Sequence, residues 1–456
     1  MQVEHSDLVI IGAGSGDTLV NDALKGWRVA IVEADRMGGT CLNRGCIPSK
    51  MLIYTADVAR GVRDAQRYGV HAQWRGADWP AIRDRVFGRI DPEHESAVED
   101  FRRRGIDVYL GEARFVGPQV LRVGEYELHA ERFVVAVGSR PSVPTLPGLD
   151  EVDFVTSDNV MRLDTLPASM IIIGGGYIAA EMSHVFGTLG ARVTIIAPEP
   201  YLLDRHDRDV RARFSELSAQ RFEVHLNTTI ERVEATSTGA RVHLVTPDGP
   251  QAVEAEVLLV ATGRTPNSDR LNVAAAGLEV DEHGHLVKDE FYQSSVTGIW
   301  TLGDVTNHSQ LKHMANAEAR LVLHNLTHPE ALRRFPFSIV PSAVFADPQV
   351  ASVGATEQEL EAQGRAYVRG LSPYSEAAYG WAMEDVTSFV KVLADPQTHL
   401  LVGAHVMGPQ ASILIQPFIQ AMCLETPADR VAHDVLYVHP ALSEVVEHAL
   451  LNLSWP

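Results

Sequence analysis

A chain of 456 residues, 45% of them apolar, is long enough for roughly three domains with cores of their own. Its net charge of −20 and pI near 5.4 repel phosphate backbones, so no nucleic-acid partner is expected. The start MQVEHSDLVIIGAG lacks a basic leader, no apolar run reaches bilayer length, and there are only three cysteines, so the expected setting is the reducing cytosol, off the membrane.

From Asp7 the apolar run DLVII meets Gly12-Ala13-Gly14-Ser15-Gly16, then helix-compatible sequence, then VAIVE ending at Glu33. Strand, glycine turn, helix and strand, with an acid about 20 residues past the turn, is the pattern of a dinucleotide-binding unit. Gly12 suits the tight turn, and Gly14 lets the backbone approach a pyrophosphate on the helix N-terminus. Glu33 can accept hydrogen bonds from a ribose diol. The third glycine position is Asp17, with Gly16 one residue early, so the first helix is expected to pack differently on its strand. The basic triplet Arg102-Arg103-Arg104 sits among acids and reads as a solvated helix face.

GGTCLNRGCIPSK, Gly38 to Lys50, holds Cys41 and Cys46. On an ideal helix, cysteines five apart are separated by at least ~7.5 Å, beyond the ~7 Å that a disulfide tolerates. A bond between them needs a distorted turn, which Gly45 permits. Pro48 suits the first turn of a following helix, whose N-terminus favours thiolate. A zinc site lacks two further ligands nearby, and a structural disulfide is improbable in the cytosol, so a redox couple is the preferred reading.

The glycine pattern recurs in MIIIGGGYIAAEM, with Gly174-Gly175-Gly176 after an apolar run, Ala179 at the third position and RVTIIA as the next strand. Two units suggest two dinucleotides, in two domains linked by AVGSRPSVPTLPGL. Glu181, on the second unit's helix, is placed to face Lys50. VLLVATGRTPN leads back out of the second unit, and TGIWTLGDV ends in Gly303-Asp304, an acid suited to a polyol hydroxyl. From about Phe335 the pattern becomes that of a separate α+β domain, in which Cys423 is expected to be a buried core residue. In VHPALSEVVEHALL, Pro440 is expected to start a helix that puts Glu444 one turn beyond His439, holding its imidazole in one tautomer. No HExxH or GxSxG spacing occurs, and no metal site is expected.

GGTCLNRGCIPSK, GGGYIAAE, ATGR, LGDV and HPALSE, in that order, resemble the pyridine nucleotide-disulfide oxidoreductases, the group of glutathione reductase and lipoamide dehydrogenase. The resemblance covers essentially the whole chain. It implies an α/β fold with two Rossmann-like FAD- and NAD(P)-binding domains and a C-terminal α+β dimerisation domain. The expected boundaries are 1–145 (FAD), 146–265 (NAD(P)), 266–333 (central FAD segment) and 334–456 (interface). It also implies a homodimer in which His439 of one subunit serves the Cys41–Cys46 disulfide of the other. Cys41 would attack substrate, Cys46 would face the flavin, Lys50 would lie near the flavin N5 paired with Glu181, and Tyr177 would gate the nicotinamide pocket. The implied cofactor contacts run through Gly12, Gly14, Ser15, Gly16, Glu33, Gly39, Thr40, Lys50, Ala113 and Gly138 in the first part of the chain. They continue through Gly174, Gly176, Tyr177, Ile178, Glu181, Gly263 and Arg264, then Gly303, Asp304, Met314 and Ala315.

Within the group, RVFGRIDP, AYGWAMED, GAHVMGPQASILIQPFIQAM and HPALSEVVEHALLNL look like the branch that reduces mycothione, a small disulfide. That branch implies NADPH. By count from Gly174, however, the acid position of NADH-dependent members is Ala197, and the two arginine positions of NADPH-dependent members are Pro198 and Asp204. Arg205 and Arg208 stand nearby, and NADH stays possible. Arg44 departs from the family's apolar residue and is expected to add positive charge beside the thiols. The alternatives are an NADH-linked enzyme like lipoamide dehydrogenase and a flavin-binding protein without turnover.

Overall fold

The computed structural model describes residues 1–455. Its first unit is built on β1 (Gln2–Ile11), which pairs in parallel with β2 (Val29–Glu33) on one side. β3 (Asp107–Leu110) extends the sheet beyond β2. β4 (Ala113–Gly117) and β5 (Val120–Val123) form an antiparallel ribbon on β6 (Tyr126–Val135), which runs parallel to β1 on its other side. Leu8 to Ile11 are buried on both sheet faces, as a central parallel strand requires. Leu8 and Ile10 pack to one side with Ile31 and Val134, and Val9 and Ile11 to the other with Phe133 and Val135.

The helix expected after the first glycine turn does not form. Two short 3-10 turns, Gly16–Leu19 and Asp22–Leu24, stand in its place. The side chain of Asn21 accepts the amide of Ala23 at 3.0 Å, a local bond that competes with helix. Gly16 supplies the close packing that the third glycine gives elsewhere: a Cβ there would lie 2.8 Å from Ile10 Cγ2. The sheet face left open is covered by helix Lys312–Thr327, through Ala319, Val322 and Leu326.

From Gly39 on, the helices are α1 (Gly39–Arg44), which carries Cys41, α2 (Cys46–Asp64), α3 (Trp79–Ile90) and α4 (Pro92–Arg103). In the second unit four parallel strands stand in the order Glu223–His225, Arg192–Ile196, Ser169–Ile173, Val257–Val260. Here a full helix, α5 (Tyr177–Leu189), follows the glycine turn. The way into this unit and the way out are hydrogen-bonded to each other, Ser139–Pro141 antiparallel to Arg264–Pro266. α2 packs on α5, with Leu52 and Ile53 in one core with Ala179, Met182 and Phe186. That packing joins the cysteine segment to the second unit.

The C-terminal part is a five-stranded antiparallel sheet ordered Ser342–Val344, Val350–Gly354, Leu401–Met407, Phe389–Ala394, Val368–Pro373. Its last helix begins at Ser443 rather than at Pro440, because a turn comes first, in which the Glu444 amide donates to Ala441 O at 3.1 Å. Cys423 ends helix Gln416–Cys423 and is exposed, not a core residue, since Phe418 and Ala421 carry the buried face.

Lys391 ties this sheet to the second unit. Fully buried, it donates to Asp207 at 2.7 Å, Asp209 at 2.7 Å and Glu357 at 2.6 Å. Lys391→Met leaves three carboxylates around an apolar side chain. Removing one partner of a buried charge set costs about 3–5 kcal/mol. A clear drop in the urea midpoint is therefore expected, and an unchanged midpoint would show the cluster to be dispensable.

Candidate active site

α1 and α2 are two helices broken by a single residue. Gly45, at φ −136 and ψ −116, separates Arg44 from Cys46, and a Cβ there would lie 2.9 Å from Thr40 O. The break folds Cys46 back onto Cys41, and the two thiols share a hydrogen bond, as free thiols in this structure. That bond and burial push the Cys41 thiol far up, while the same bond, helped by the Lys50 ammonium and opposed by burial, brings Cys46 down to about 7. Cys46, at the N-terminus of the long helix α2, is therefore the more acidic of the two thiols.

Lys50, one turn into α2, donates to Glu181 of α5 at 2.8 and 2.9 Å, and its ammonium lies 4.6 Å from the Phe345 ring centroid. Glu181 is 4% exposed and also accepts the amide of Phe345 at 3.1 Å, so all three parts of the chain meet at this pair. Arg44 does not act on the thiols as expected from sequence. Its guanidinium is paired with Asp35 and lies 3.9 Å from Asp158, so its charge is spent away from the sulfurs.

His439 Nδ1 lies 2.7 Å from Glu444 Oε1, and Glu444 Oε2 accepts the amide of Ala441 at 3.2 Å. The hydrogen bond to His439 holds the Glu444 carboxyl below its ordinary range. A carboxylate at Nδ1 keeps the proton there and leaves Nε2 as the base. The imidazole is 72% exposed, and none of its bonds or ion pairs reaches the cysteine segment of its own chain.

The glycine turns are alike. Gly12 has φ +101, and a Cβ would lie 2.4 Å from Ala136 O; Gly174 has φ +120, and a Cβ would lie 2.3 Å from Ala261 O. Only glycine lets either turn pass so close to the end of the neighbouring strand. Gly39, at φ +59, presses on Gly14: a Cβ there would lie 2.7 Å from Gly14 Cα, which joins the first turn to the cysteine segment carrying Thr40. Glu33 ends β2 and accepts the amides of Ala13 at 2.8 Å and Asp35 at 3.0 Å. Among the described residues the amides of Gly14 and Ser15 have no acceptor within the chain. Lys312 Nζ stands over the same turn, 3.2 Å from Gly14 O and 3.1 Å from Ser15 Oγ. Open amides and a cation at a glycine turn fit a pyrophosphate.

Farther along, Asp304 accepts from Ser139 Oγ at 2.6 Å, and Arg264 donates to the same Oγ at 2.7 Å. Gly138 and Gly263, both at positive φ, flank this knot, and Gly303 precedes Asp304. Tyr177 and Ile178 open α5 behind Gly176, and Tyr177 is 47% exposed. Ala113 starts β4 on the edge ribbon, and Met314 and Ala315 lie in the first turn of helix Lys312–Thr327.

Residues 6–319 match the family described as pyridine nucleotide-disulphide oxidoreductase, and residues 340–450 match the dimerisation domain of that family. The chain belongs to the pyridine nucleotide-disulphide oxidoreductases. It is 43% identical to mycothione reductase of Mycobacterium tuberculosis (strain H37Rv), over 99% of this chain and 100% of that one. It is 33% identical to dihydrolipoyl dehydrogenase of Halobacterium salinarum, over 98% of this chain and 96% of that one. Among solved structures, the HOCl-induced flavoprotein disulfide reductase RclA from Escherichia coli superposes with a TM-score of 0.85 at 28% identity, covering 98% of this chain and 99% of that one. Like other members of the family, this chain is an FAD-dependent disulfide oxidoreductase with a nicotinamide partner.

Sequence reasoning missed two residues that brace these turns. Lys312 gives no local signal, because its role depends on a turn about 300 positions earlier. Glu318 is fully buried and accepts from Gly303 N at 2.6 Å, Tyr292 Oη at 2.9 Å and Asn307 Nδ2 at 3.1 Å, which fixes the loop that carries Asp304. A buried acid in an amphipathic helix looks, in sequence, like any exposed one. Metal-type spacing, not expected from sequence, does arise in the fold, at Asp281, His285 and His308.

Proposed function

We propose that the chain reduces mycothione to two thiols at the expense of NADPH, as a homodimer with composite active sites. The observation that carries the substrate is the 43% identity to a mycothione reductase from end to end of both chains. The match of residues 340–450 to a dimerisation domain, with an exposed His439 that makes no hydrogen bond or ion pair to its own cysteine segment, supports the composite site. The cytosol, where small thiols are kept reduced, suits this activity.

FAD would be held by the Gly12–Gly16 turn with Lys312 at the pyrophosphate, by Glu33 at the ribose diol, and by Asp304 with Arg264 along the polyol. The flavin supplies hydride chemistry between nicotinamide and the cysteine disulfide. In the reduced site, the Cys46 thiolate holds the Cys41 proton by hydrogen bond, and Lys50 balances the negative charge. When substrate RS–SR arrives, Nε2 of the partner's His439 takes the Cys41 proton and Cys41 Sγ attacks one sulfur. The S–S bond breaks, RS⁻ leaves and receives that proton, and Cys41 carries the mixed disulfide. Cys46 thiolate then attacks Cys41 Sγ, closing the intramolecular disulfide and releasing the second thiolate.

The nicotinamide choice rests on one arginine. Arg208 is committed to Glu361 and to Glu357 at 3.9 Å, in the interface domain. Arg205 is exposed and makes no ion pair among the described residues, so it is the cation available for a 2′-phosphate. Arg205→Ala should raise the KM for NADPH on the order of tenfold and leave that for NADH unchanged, since a charge-assisted hydrogen bond is worth about 1.5–3 kcal/mol. The reading as a whole is tested by steady-state rates with mycothione, lipoamide and glutathione disulfide, each with NADPH and with NADH. Preference for lipoamide with NADH would replace it with the lipoamide dehydrogenase reading; Ala197, Pro198 and Asp204 match neither the NADH nor the NADPH pattern.

A further inference from the structure

Asp281, His285 and His308 each present one possible ligand atom, and the three atoms lie within 4.8 Å of one another. Asp281 and His285 stand at the two ends of one turn, where the Asp281 amide donates to His285 O at 2.8 Å and the Gly284 amide to Asp281 O at 3.0 Å. His308 comes from the loop just after Asp304. That loop is fastened to the turn where the Leu286 amide donates to Val305 O at 2.8 Å and Thr306 Oγ1 to Leu286 O at 2.7 Å.

Two gaps decide what this group can do. Asp281 Oδ2 stands 3.5 Å from His285 Nδ1 and 3.5 Å from His308 Nε2. Good N–H···O hydrogen bonds are shorter, about 2.7–3.2 Å. A tetrahedral ion bound at about 2.0–2.1 Å by imidazole nitrogen and carboxylate oxygen sets its ligand atoms ~3.3–3.4 Å apart. The other oxygen of the carboxylate is anchored: Oδ1 accepts the amides of His283 at 2.9 Å and His285 at 2.8 Å, the kind of support that orients a ligating carboxylate. His285 is only 6% exposed, yet neither of its ring nitrogens has a hydrogen-bond partner. Buried polar side chains are normally satisfied, so the ring is aimed at something the protein does not supply. The other cluster of similar shape, Asp207, Asp209 and Glu357, is already filled by the Lys391 ammonium.

We propose that Asp281, His285 and His308 bind a late first-row divalent cation, of which Zn(II) is the simplest case, with one position left to water. Two imidazoles and a carboxylate favour such an ion over magnesium or calcium, which prefer all-oxygen sites. The ion ties the turn at 281–285 to the segment that follows Asp304, so its binding stabilises the folded, flavin-loaded enzyme.

The test uses tag-free holoenzyme, chelator-stripped and fully oxidised so that the active-site thiols cannot bind metal, titrated with Zn(II) by calorimetry. One ion per chain and a rise in the thermal midpoint are expected. His308 is 65% exposed, so His308→Ala keeps the core intact, and it should weaken binding at least about tenfold and abolish the thermal shift. His285→Gln should do the same. Zn(II) affinity unchanged in His308→Ala, or no binding by the unmodified enzyme up to about 0.1 mM, overturns the proposal.

Discussion

Replacing Cys41 with alanine is expected to stop disulfide turnover, by about three orders of magnitude or more, and at the same time to raise the pKa of Cys46. The first effect follows from removing the atom that attacks substrate. The second follows from the hydrogen bond between the thiols, which is the largest cause holding Cys46 at about 7. Without the Cys41 S–H donor, the thiolate keeps only Lys50 and the helix terminus, so a rise of about one unit or more is expected, each unit being ~1.4 kcal/mol. The sign is testable by the pH dependence of Cys46 alkylation in reduced enzyme: the rate rises through pH about 7 in the unmodified protein and at higher pH in the variant. An unshifted profile would place the origin of the low value in Lys50, and Lys50→Met would then move it instead. Retained turnover in Cys41→Ala would remove Cys41 from the role of nucleophile altogether.

The features that could be read from sequence are those in which a short stretch carries its own geometry. A glycine whose Cβ would strike a neighbouring carbonyl must be glycine, so Gly12 and Gly174 announce both nucleotide turns. Gly45, whose Cβ would lie 2.9 Å from Thr40 O, announces the break that folds Cys46 back onto Cys41 for the same reason. Lys50 and Glu181, 131 positions apart, could be paired only because each belongs to a recognisable motif. The first helix is absent because Asn21 and its neighbours prefer local side-chain bonds, while the surface it would cover is taken by a helix some 300 residues later. Arg44 gives no local sign of its role because its partners, Asp35 and Asp158, are ordinary acids in loops that the fold brings beside it. Lys312, Glu318 and the Asp281–His285–His308 group fail for one common reason. Each acts through a contact made by tertiary packing, and nothing in its immediate sequence differs from a solvated polar residue.

The exposed His439 gives the second large expectation. A proton must leave Cys41 for it to attack, and the Cys46 thiolate that holds that proton is needed later as the resolving nucleophile, so a separate base is required. Nε2 of His439 is suited to this because Glu444 fixes the proton on Nδ1 at 2.7 Å. His439→Ala should lower kcat by about 10²–10⁴, the usual worth of a positioned general acid–base. Glu444→Gln should cost less, because an amide still accepts from Nδ1–H but no longer balances the imidazolium charge. Its effect should show in the pH profile. The Glu444 carboxyl, held below its ordinary range, stays ionised at neutral pH, and the orientation it gives His439 is lost only as pH falls through that lowered pKa. Removing it should therefore change the rate most above that point and least below it. Subunit mixing then decides where the base works. In a dimer of one Cys41→Ala and one His439→Ala chain, a composite arrangement leaves one site lacking both residues and the other complete. Random mixing in equal amounts should restore about a quarter of full activity. If His439 instead served the cysteines of its own chain, every site in the mixture would lack one residue, and no activity would return.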